Sequence, residues 1–573
     1  QVAEIMASAD DKELPPAFCT AYGSKLLITI FCTHHMLKGF AGGGGQSGLV
    51  GAAMEFTFRN LQIDGPSLQV LLAVATLPWS MKAIMGLMSD GFPLCGRRKA
   101  PYLFLSTLVA VAAYVALGGG FVVGKEACTA SFFAVFFQMA LADLLVEAKY
   151  SEKVKAVPER GPDLITFVWG GIAIFTLVST VVAGWVLEHM GPRVCYSAAL
   201  PFAALLLWPV GCNYLEEVRP PEVRACRPDA EVWRGKGRVP FGLAMVSGVA
   251  AIGMAGASLA LSSVRSKFYV AAFVGLLNLV LFSFFLRPVI AKINAFFFLQ
   301  SVFHIGTHGA AFYFFTDTES QYARGPHFSR QFYVTGIGSV AAIFQLVGMF
   351  LYNSIMKKWR YRTILMGSSI AYALVNCLSV IAYKRINLDY GMSDKPFLLA
   401  SSAMQSAIGQ FSWMPMTVML AQLVPQGIES VMYALLAGSL NLGSAVANYA
   451  GALVLESLGV TPNGAQDEDA KFDNLWIAAL ISACGPCVPL ILVNFLVPDA
   501  RQTDRLLDDG DPGSATTGSL FEKCFAIAAR RWDKRYRAME STSATRSSDA
   551  VGDDGIEMAN ATPRALGKLS DAL

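Results

Sequence analysis

The chain has 573 residues, of which 54% are hydrophobic and only 15% charged, with a mean hydropathy of +0.47. Soluble domains carry about 25% charged residues, so a soluble enzyme of ordinary composition is excluded. The net charge of +3, from 45 basic and 42 acidic side chains, gives no ground for a nucleic-acid partner.

Apolar runs of roughly 20 residues, long enough for a hydrocarbon core about 30 Å thick, recur from Tyr22 to Val497. In lipid each run must satisfy its own backbone N–H and C=O groups, which selects helices over the alternating strands of a barrel. The fold class is therefore an all-α polytopic membrane protein. Residues 1–21 carry Glu4, Asp10, Asp11 and Glu13 and lack an apolar core, so the first membrane helix is expected to direct insertion itself.

Taken in order, the runs fall at 22–50, 66–88, 100–122, 128–150, 164–188 and 194–213, then at 241–261 and 268–286. Six more follow at 291–316, 331–354, 361–383, 397–424, 428–458 and 474–497. The expected organisation is a cytoplasmic tail (1–21), a first six-helix bundle (22–215), a polar loop (216–240) and an extra helix pair (241–288). A second six-helix bundle (289–498) and a disordered tail (499–573) complete it. With the N-terminus inside, the inner loops hold nineteen Lys and Arg residues, among them Arg97, Arg98, Lys99, Arg234, Lys236, Arg238, Lys357 and Lys358, against eleven outside. That excess predicts both termini in the cytoplasm, and a plasma-membrane location is expected. The tail cluster Arg530, Arg531, Lys534, Arg535 and Arg537 has the same sense.

Two six-helix groups, each divisible into two sets of three, suggest inverted repeats in which the first helix of each set lines a central path. Those four helices carry polar side chains at helical spacing. The first has His34, His35 and Lys38 within a turn, and the second has Asp143 and Glu147 four apart on one face. The third has Gln300, His304 and His308 in a four-residue stripe, and the fourth has Gln405, Gly409 and Trp413 on one face with Gln410 beside it. A central charge facing lipid costs about 2.5–3.5 kcal/mol on insertion scales, so these faces are expected to line a wet cavity. Two carboxylates one turn apart disfavour joint ionisation, which would keep a proton on Asp143 or Glu147 unless Lys149 and Lys153 neutralise both. The histidine stripe lacks a third ligand of matching spacing, so neither a metal nor a cofactor is expected. The Cys484, Gly485, Pro486, Cys487 run lies inside an apolar helix and is expected to be a proline kink, not a redox motif. The 11 cysteines are scattered, unlike a disulfide framework.

The most specific stretch is PWSMKAIMGLMSDGFPLCGRRKAPY at 78–102. Gly86, Asp90, Gly96, Arg97 and Arg98 match the G-x-x-x-D…G-R-R signature between the second and third helices of the major facilitator superfamily. An Asp at a helix end facing two Arg across a tight turn forms a clamp that can break and remake. The longer pattern resembles the folate–biopterin transporter family within that superfamily. DLLVEAKYSE at 143–152, YFFTD at 313–317 and PQGIESVMYALLAGSLNLGSAVANYAG at 425–451 agree with it. The two central extra helices and long loops look like the protozoan branch, a pteridine or folate transporter. The resemblance implies the superfamily's fold of about fourteen spans in this branch, with Lys82, Asp90, Arg97, Arg98, Asp143, Glu147, Pro425, Gly427 and Glu429 on the family's motifs. Ala83 stands where a Pro usually follows the Lys, and Val424 where a Cys often precedes the Pro.

The resemblance further implies a secondary transporter whose partners are a small molecule (folate or biopterin), protons and the lipid bilayer. In such a substrate the pterin's adjacent N–H donors suit Asp143 or Glu147, the glutamate tail suits Lys82 or Lys38, and Trp79 and Trp413 suit ring stacking. The expected site is thus Lys38, Lys82, Asp143, Glu147, His304, His308, Gln405, Trp413 and Glu429, with Asp90, Arg97 and Arg98 as the clamp. S-adenosylmethionine or another metabolite stands as the alternative substrate, and a membrane-embedded enzyme or a channel as the alternative class.

Overall fold

The structure, a computed structural model, describes residues 18–42, 47–157, 160–217, 238–424, 429–502, 504, 506–507 and 515–527. Most of the 216–240 loop, Pro425, Gly427 and the chain from 528 onward, with its basic cluster, lie outside the described residues. The described residues are helical, and their strand pairing is limited to two isolated bridges.

In the first half α1 (Ser24–Ile30) continues as a π-type segment, Phe31–Gly42, and α2 is Gly48–Asn60. Next come α3 (Gly65–Gly91), α4 (Ala100–Gly118), α5 (Lys125–Ala156), α6 (Gly161–His189) and α7 (Pro192–Ala204). The extra pair is α8 (Arg238–Ala260) and α9 (Val264–Phe285). In the second half α10 (Pro288–Val302) and α11 (His308–Thr316) share one run, followed by α12 (Phe332–Met356) and α13 (Tyr361–Tyr383). The last are α14 (Asp394–Gln422), α15 (Glu429–Ser457) and α16 (Asp469–Leu496). Local chemistry sets many of the starts. Asp64 caps α3 by accepting from the Ser67 amide at 3.0 Å, with Pro66 in the first turn. Gly124 and Gly191, at φ of 91° and 84°, make the left-handed turns before α5 and α7 that a side chain would strain.

Two expectations need correction. The first run does not stop near residue 50 but reaches Asn60, because Phe56 and Phe58 are buried and Phe56 packs edge-on against Phe312 at 5.0 Å. The third polar helix is not continuous, since Phe303–Thr307 separates α10 from α11 and interrupts the Gln300, His304, His308 stripe. Ala83 in place of Pro leaves α3 helical through that position, and a 3₁₀ turn at Leu77–Met81 accommodates Pro78.

Eleven of the described helices are long and apolar enough to cross a membrane. The runs outside that set are α1 with α2, α10 with α11, and α14, three of the four expected to line the path. Polar side chains and breaks lower their hydropathy, as a wet lining requires.

Helices α1 to α7 pack among themselves, as do α10 to α16, and α3 meets α15 along a seam. The extra pair lies on that seam, with α8 against α3 and α15 and α9 against α15 and α10. Hydrogen bonds fasten it where the surroundings are apolar. Asn278 donates to Ser247 Oγ at 2.9 Å and accepts from Ser439 at 3.1 Å, and the Ser258 and Tyr449 hydroxyls stand 2.6 Å apart.

Hydrogen bonds join the first six helices to the last six at several levels, with Asn441 donating to the Trp79 carbonyl at 3.1 Å and Thr335 to the Thr180 carbonyl at 3.2 Å, and one group of them lies at one end, around Arg59. Its guanidinium reaches Asp317 at 2.8 Å, the Thr316 carbonyl at 3.0 Å and Gln321 Oε1 at 2.7 Å. Nearby, the Gly65 amide donates to the Pro462 carbonyl at 2.8 Å and the Tyr313 hydroxyl to the Ile63 carbonyl at 2.5 Å. Asp317 is fully buried, so removing its cation leaves an uncompensated charge, a loss of roughly 3–5 kcal/mol in buried pairs. Arg59→Gln should therefore lower the thermal unfolding midpoint of the purified protein clearly, and an unchanged midpoint would show that the pair does not hold this end.

Candidate functional site

Among the described residues, one cluster of polar side chains inside the first half and one inside the second stand out. The first is built on Asp143 of α5. Its Oδ1 accepts from Lys38 Nζ at 2.7 Å and its Oδ2 from Lys82 Nζ at 2.6 Å, while His34 Nε2 stands 3.4 Å from Oδ1. Two helices thus supply a carboxylate on a third with two ammonium groups and an imidazole. The π-type segment brings His34 and Lys38 of α1 to the same oxygen, and such segments are frequent at functional sites. Close approach makes this geometry reachable. A Cβ on Gly39 would come within 3.1 Å of the Ile172 carbonyl of α6, and one on Gly171 would meet the His35 ring at 2.0 Å. His35 is a packing residue, bonded to the Phe167 carbonyl at 2.9 Å and stacked on Phe175.

Aromatic faces surround the ammonium groups. Lys38 lies over Trp79 at 5.4 Å and over Trp169 at 5.0 Å, and Lys82 lies over Trp79 at 4.9 Å. Glu147, one turn below Asp143, is within electrostatic reach of Lys82 and is 3.5 Å from the Tyr150 hydroxyl. The repulsion expected between Asp143 and Glu147 is thus answered by lysines from other helices. Lys149 is committed to Glu152 at 3.4 Å and does not neutralise the pair.

The second cluster lines a cavity of about 700 Å³ enclosed by α10, α11, α13, α14, α15 and α16. Gln300, His304, His308, Gln405, Gly409 and Trp413 all line it, although the helix bearing the histidines is broken. The break exposes backbone groups, and neighbours satisfy them. Gln69 of α3 donates to the Gly306 and Asn448 carbonyls, each at 2.8 Å, and accepts from the Gly309 amide at 3.2 Å, while Ser482 donates to the Ile305 carbonyl at 2.5 Å. No Asp, Glu, Lys or Arg is among the lining residues. Helix α13, which the sequence-based expectation omits, contributes Ser369, Tyr372, Asn376, Ser379 and Tyr383. Their spacing of three and four is a polar helical stripe legible in the sequence, but expectation had been confined to the first helix of each triplet. Trp169 and Gln69 were missed for the same reason. Gln410 is buried beside the cavity without lining it.

At the end of α3, Asp90, Arg97 and Arg98 share one tight turn, and Asp90 lies within electrostatic reach of Lys99 and Arg98. The turn is held by Ser89 donating to the Arg98 carbonyl at 2.7 Å and by Tyr102 donating to the Phe92 carbonyl at 2.6 Å. Glu217 accepts from the amides of Lys99 and Ala100 at the start of α4. Glu429 begins α15, but its side chain is outside the described residues. No group of three metal-ligating side chains occurs among the described residues. Around Cys484 and Cys487 the chain forms a 3₁₀ helix with Pro486 and Pro489.

Because Asp143 has two cations, losing one leaves it partnered and losing both does not. Lys38→Met and Lys82→Met should each cost little stability, and the double variant should lose more than the sum by about 1–3 kcal/mol, as coupled neighbours do. Thermal melts of the four proteins check this, and simple additivity would refute a shared carboxylate.

Comparison with known proteins places these features. The model of the BT1 family matches residues 44–515. A protein of Arabidopsis thaliana named "Probable folate-biopterin transporter 6" is 25% identical over 457 residues, covering 79% of this chain and 80% of its own. The "Folate-biopterin transporter" of Synechocystis is 25% identical over 478 residues, covering 82% and 83%. In fold, the chain is similar to the POT family transporter PepTSo, with a TM-score of 0.58 at 11% identity, covering 84% of this chain and 99% of that one.

Proposed function

The chain belongs to the BT1 family, and from that premise we propose that it is a secondary active transporter of pteridines, folate or biopterin, working by alternating access with proton coupling. It is a multi-pass membrane transporter and not an enzyme. The observation that carries the proposal is Asp143 held by Lys38 and Lys82 inside the first half while an uncharged polar cavity opens in the second. A buried carboxylate shared by two ammonium groups is a device for coupling. Adding a proton to Asp143 removes the charge that holds both lysines, so the cluster can loosen and α1, α3 and α5 can shift relative to one another. Glu147 lies next to this cluster and serves as the onward acceptor.

Alternating access needs one end closed at a time. In this conformation the Arg59 end is tied across the halves. We take the Asp90 end as cytoplasmic, in a plasma membrane with both termini inside, so that this form is closed to the exterior. The Asp90, Arg97 and Arg98 turn then engages as a clamp when the halves rock the other way, and Glu429 opens the facing helix.

Uptake of labelled folate, biopterin and S-adenosylmethionine into cells without their own carriers, at mildly acidic and at neutral pH, tests the proposal. Pteridine uptake that increases at acidic pH is expected. Uptake of S-adenosylmethionine alone would discard the substrate, and uptake indifferent to pH would discard the proton. Lys82→Ala and Glu147→Ala should abolish uptake with surface expression retained, and normal uptake in both would refute their roles. Replacing Arg97 and Arg98 together should slow transport without altering the order of preference among substrates; a changed order would place them in recognition.

A further inference from the structure

We propose that the cavity of the second half is the recognition site for the uncharged pterin ring, and that the carboxylate tail of a folate contributes little to binding. This rests on the pteridine assignment above and deepens it. It also moves the ring away from Asp143 and Glu147, where the sequence alone had put it.

The charge distribution is the first ground. Lys38 and Lys82, the cations a carboxylate tail would want, are already closed onto Asp143 at 2.7 and 2.6 Å, with Glu147 adding a second negative charge nearby. A substrate carboxylate would have to displace an internal one. The cavity, in turn, has no Asp, Glu, Lys or Arg in its lining, so a charge placed there would lose its hydration without gaining a partner. What the cavity offers suits a neutral, planar, hydrogen-bonding ring. Its volume of about 700 Å³ is that of a small-molecule site, with Trp413 and Tyr372 supplying aromatic faces.

Unused hydrogen-bonding capacity is the second ground. Gln300 donates through Nε2 to Ser369 Oγ at 3.1 Å and to the Pro486 carbonyl at 3.2 Å, which fixes the amide and leaves its Oε1 buried with no partner. Gln405, on the opposing helix, lines the cavity and makes no hydrogen bond to any described residue. A fixed acceptor and a free amide across a neutral cavity match the adjacent donors and the carbonyl on one edge of a 2-amino-4-oxo pteridine. His304, held at 3.1 Å from the Tyr372 hydroxyl, supplies a further ring nitrogen.

The test is direct calorimetric binding of folate, biopterin and 4-aminobenzoylglutamate, the tail without the ring, to purified full-length protein in lipid nanodiscs. Biopterin and folate should bind within about threefold of each other, and the tail should be at least roughly a hundredfold weaker, because it lacks the group the cavity reads. Gln405→Leu should weaken biopterin about tenfold, the worth of one buried hydrogen bond. Its thermal midpoint should stay unchanged, since this amide holds nothing in the protein, and Gln405→Asn should recover part of the affinity. Folate and the tail binding equally, with biopterin inert, would overturn the inference and leave the pteridine assignment standing. Undiminished biopterin affinity in a folded Gln405→Leu protein would overturn it as well. Binding of none of the three would remove the assignment and the inference together.

Discussion

The interior of the first half depends on one carboxylate and its counter-charges. Asp143 is buried, and an ionised carboxylate is tolerable there only with a counter-charge beside it. Lys38 and Lys82 meet that need from different helices, so α1, α3 and α5 are bound at a single point. The π-type segment of α1 and the glycines at 39 and 171 follow from the same need, since without the wide turn and the close approach to α6 the Lys38 ammonium would not reach. The Trp79 and Trp169 faces then shield cations whose positions the carboxylate has already set.

The two halves divide the chemistry between them. Ion pairs are concentrated in the first half's interior, where their strength in a low dielectric suits a switch that is either made or broken. The second half presents amides, hydroxyls and imidazoles, with no Asp, Glu, Lys or Arg in the lining of its cavity. Gln69 connects the two, because its side chain on α3 completes the broken backbone between α10 and α11 that forms the cavity wall. A movement of α3, driven from Lys82 one stretch along the same helix, therefore acts directly on that wall. The extra pair, hydrogen-bonded across the α3 and α15 seam, packs on both helices that would carry such a movement.

Composition and periodicity in the sequence were enough to establish an all-helical membrane protein and to mark polar faces on several of its helices. Those properties are local, since the span of a bilayer and the repeat of a helix are read over about 20 residues. The stripes at Asp143 and Glu147 and at Gln405 and Trp413 were legible for the same reason, and so was the stripe on α13, had it been sought. Tertiary structure alone decided the rest. That Lys38 and Lys82 both belong to Asp143 is a relation among helices more than 40 residues apart, and no spacing encodes it. The break at 303–307 was hidden because a four-residue repeat is the same in a helix and across a gap, and only Gln69 and Ser482 from distant helices make the gap tolerable. Arg59 and Asp317 read as loop charges at two helix ends until folding brings the halves together and buries them. The sequence determines what each helix can bury, and the folded contacts decide which charge meets which.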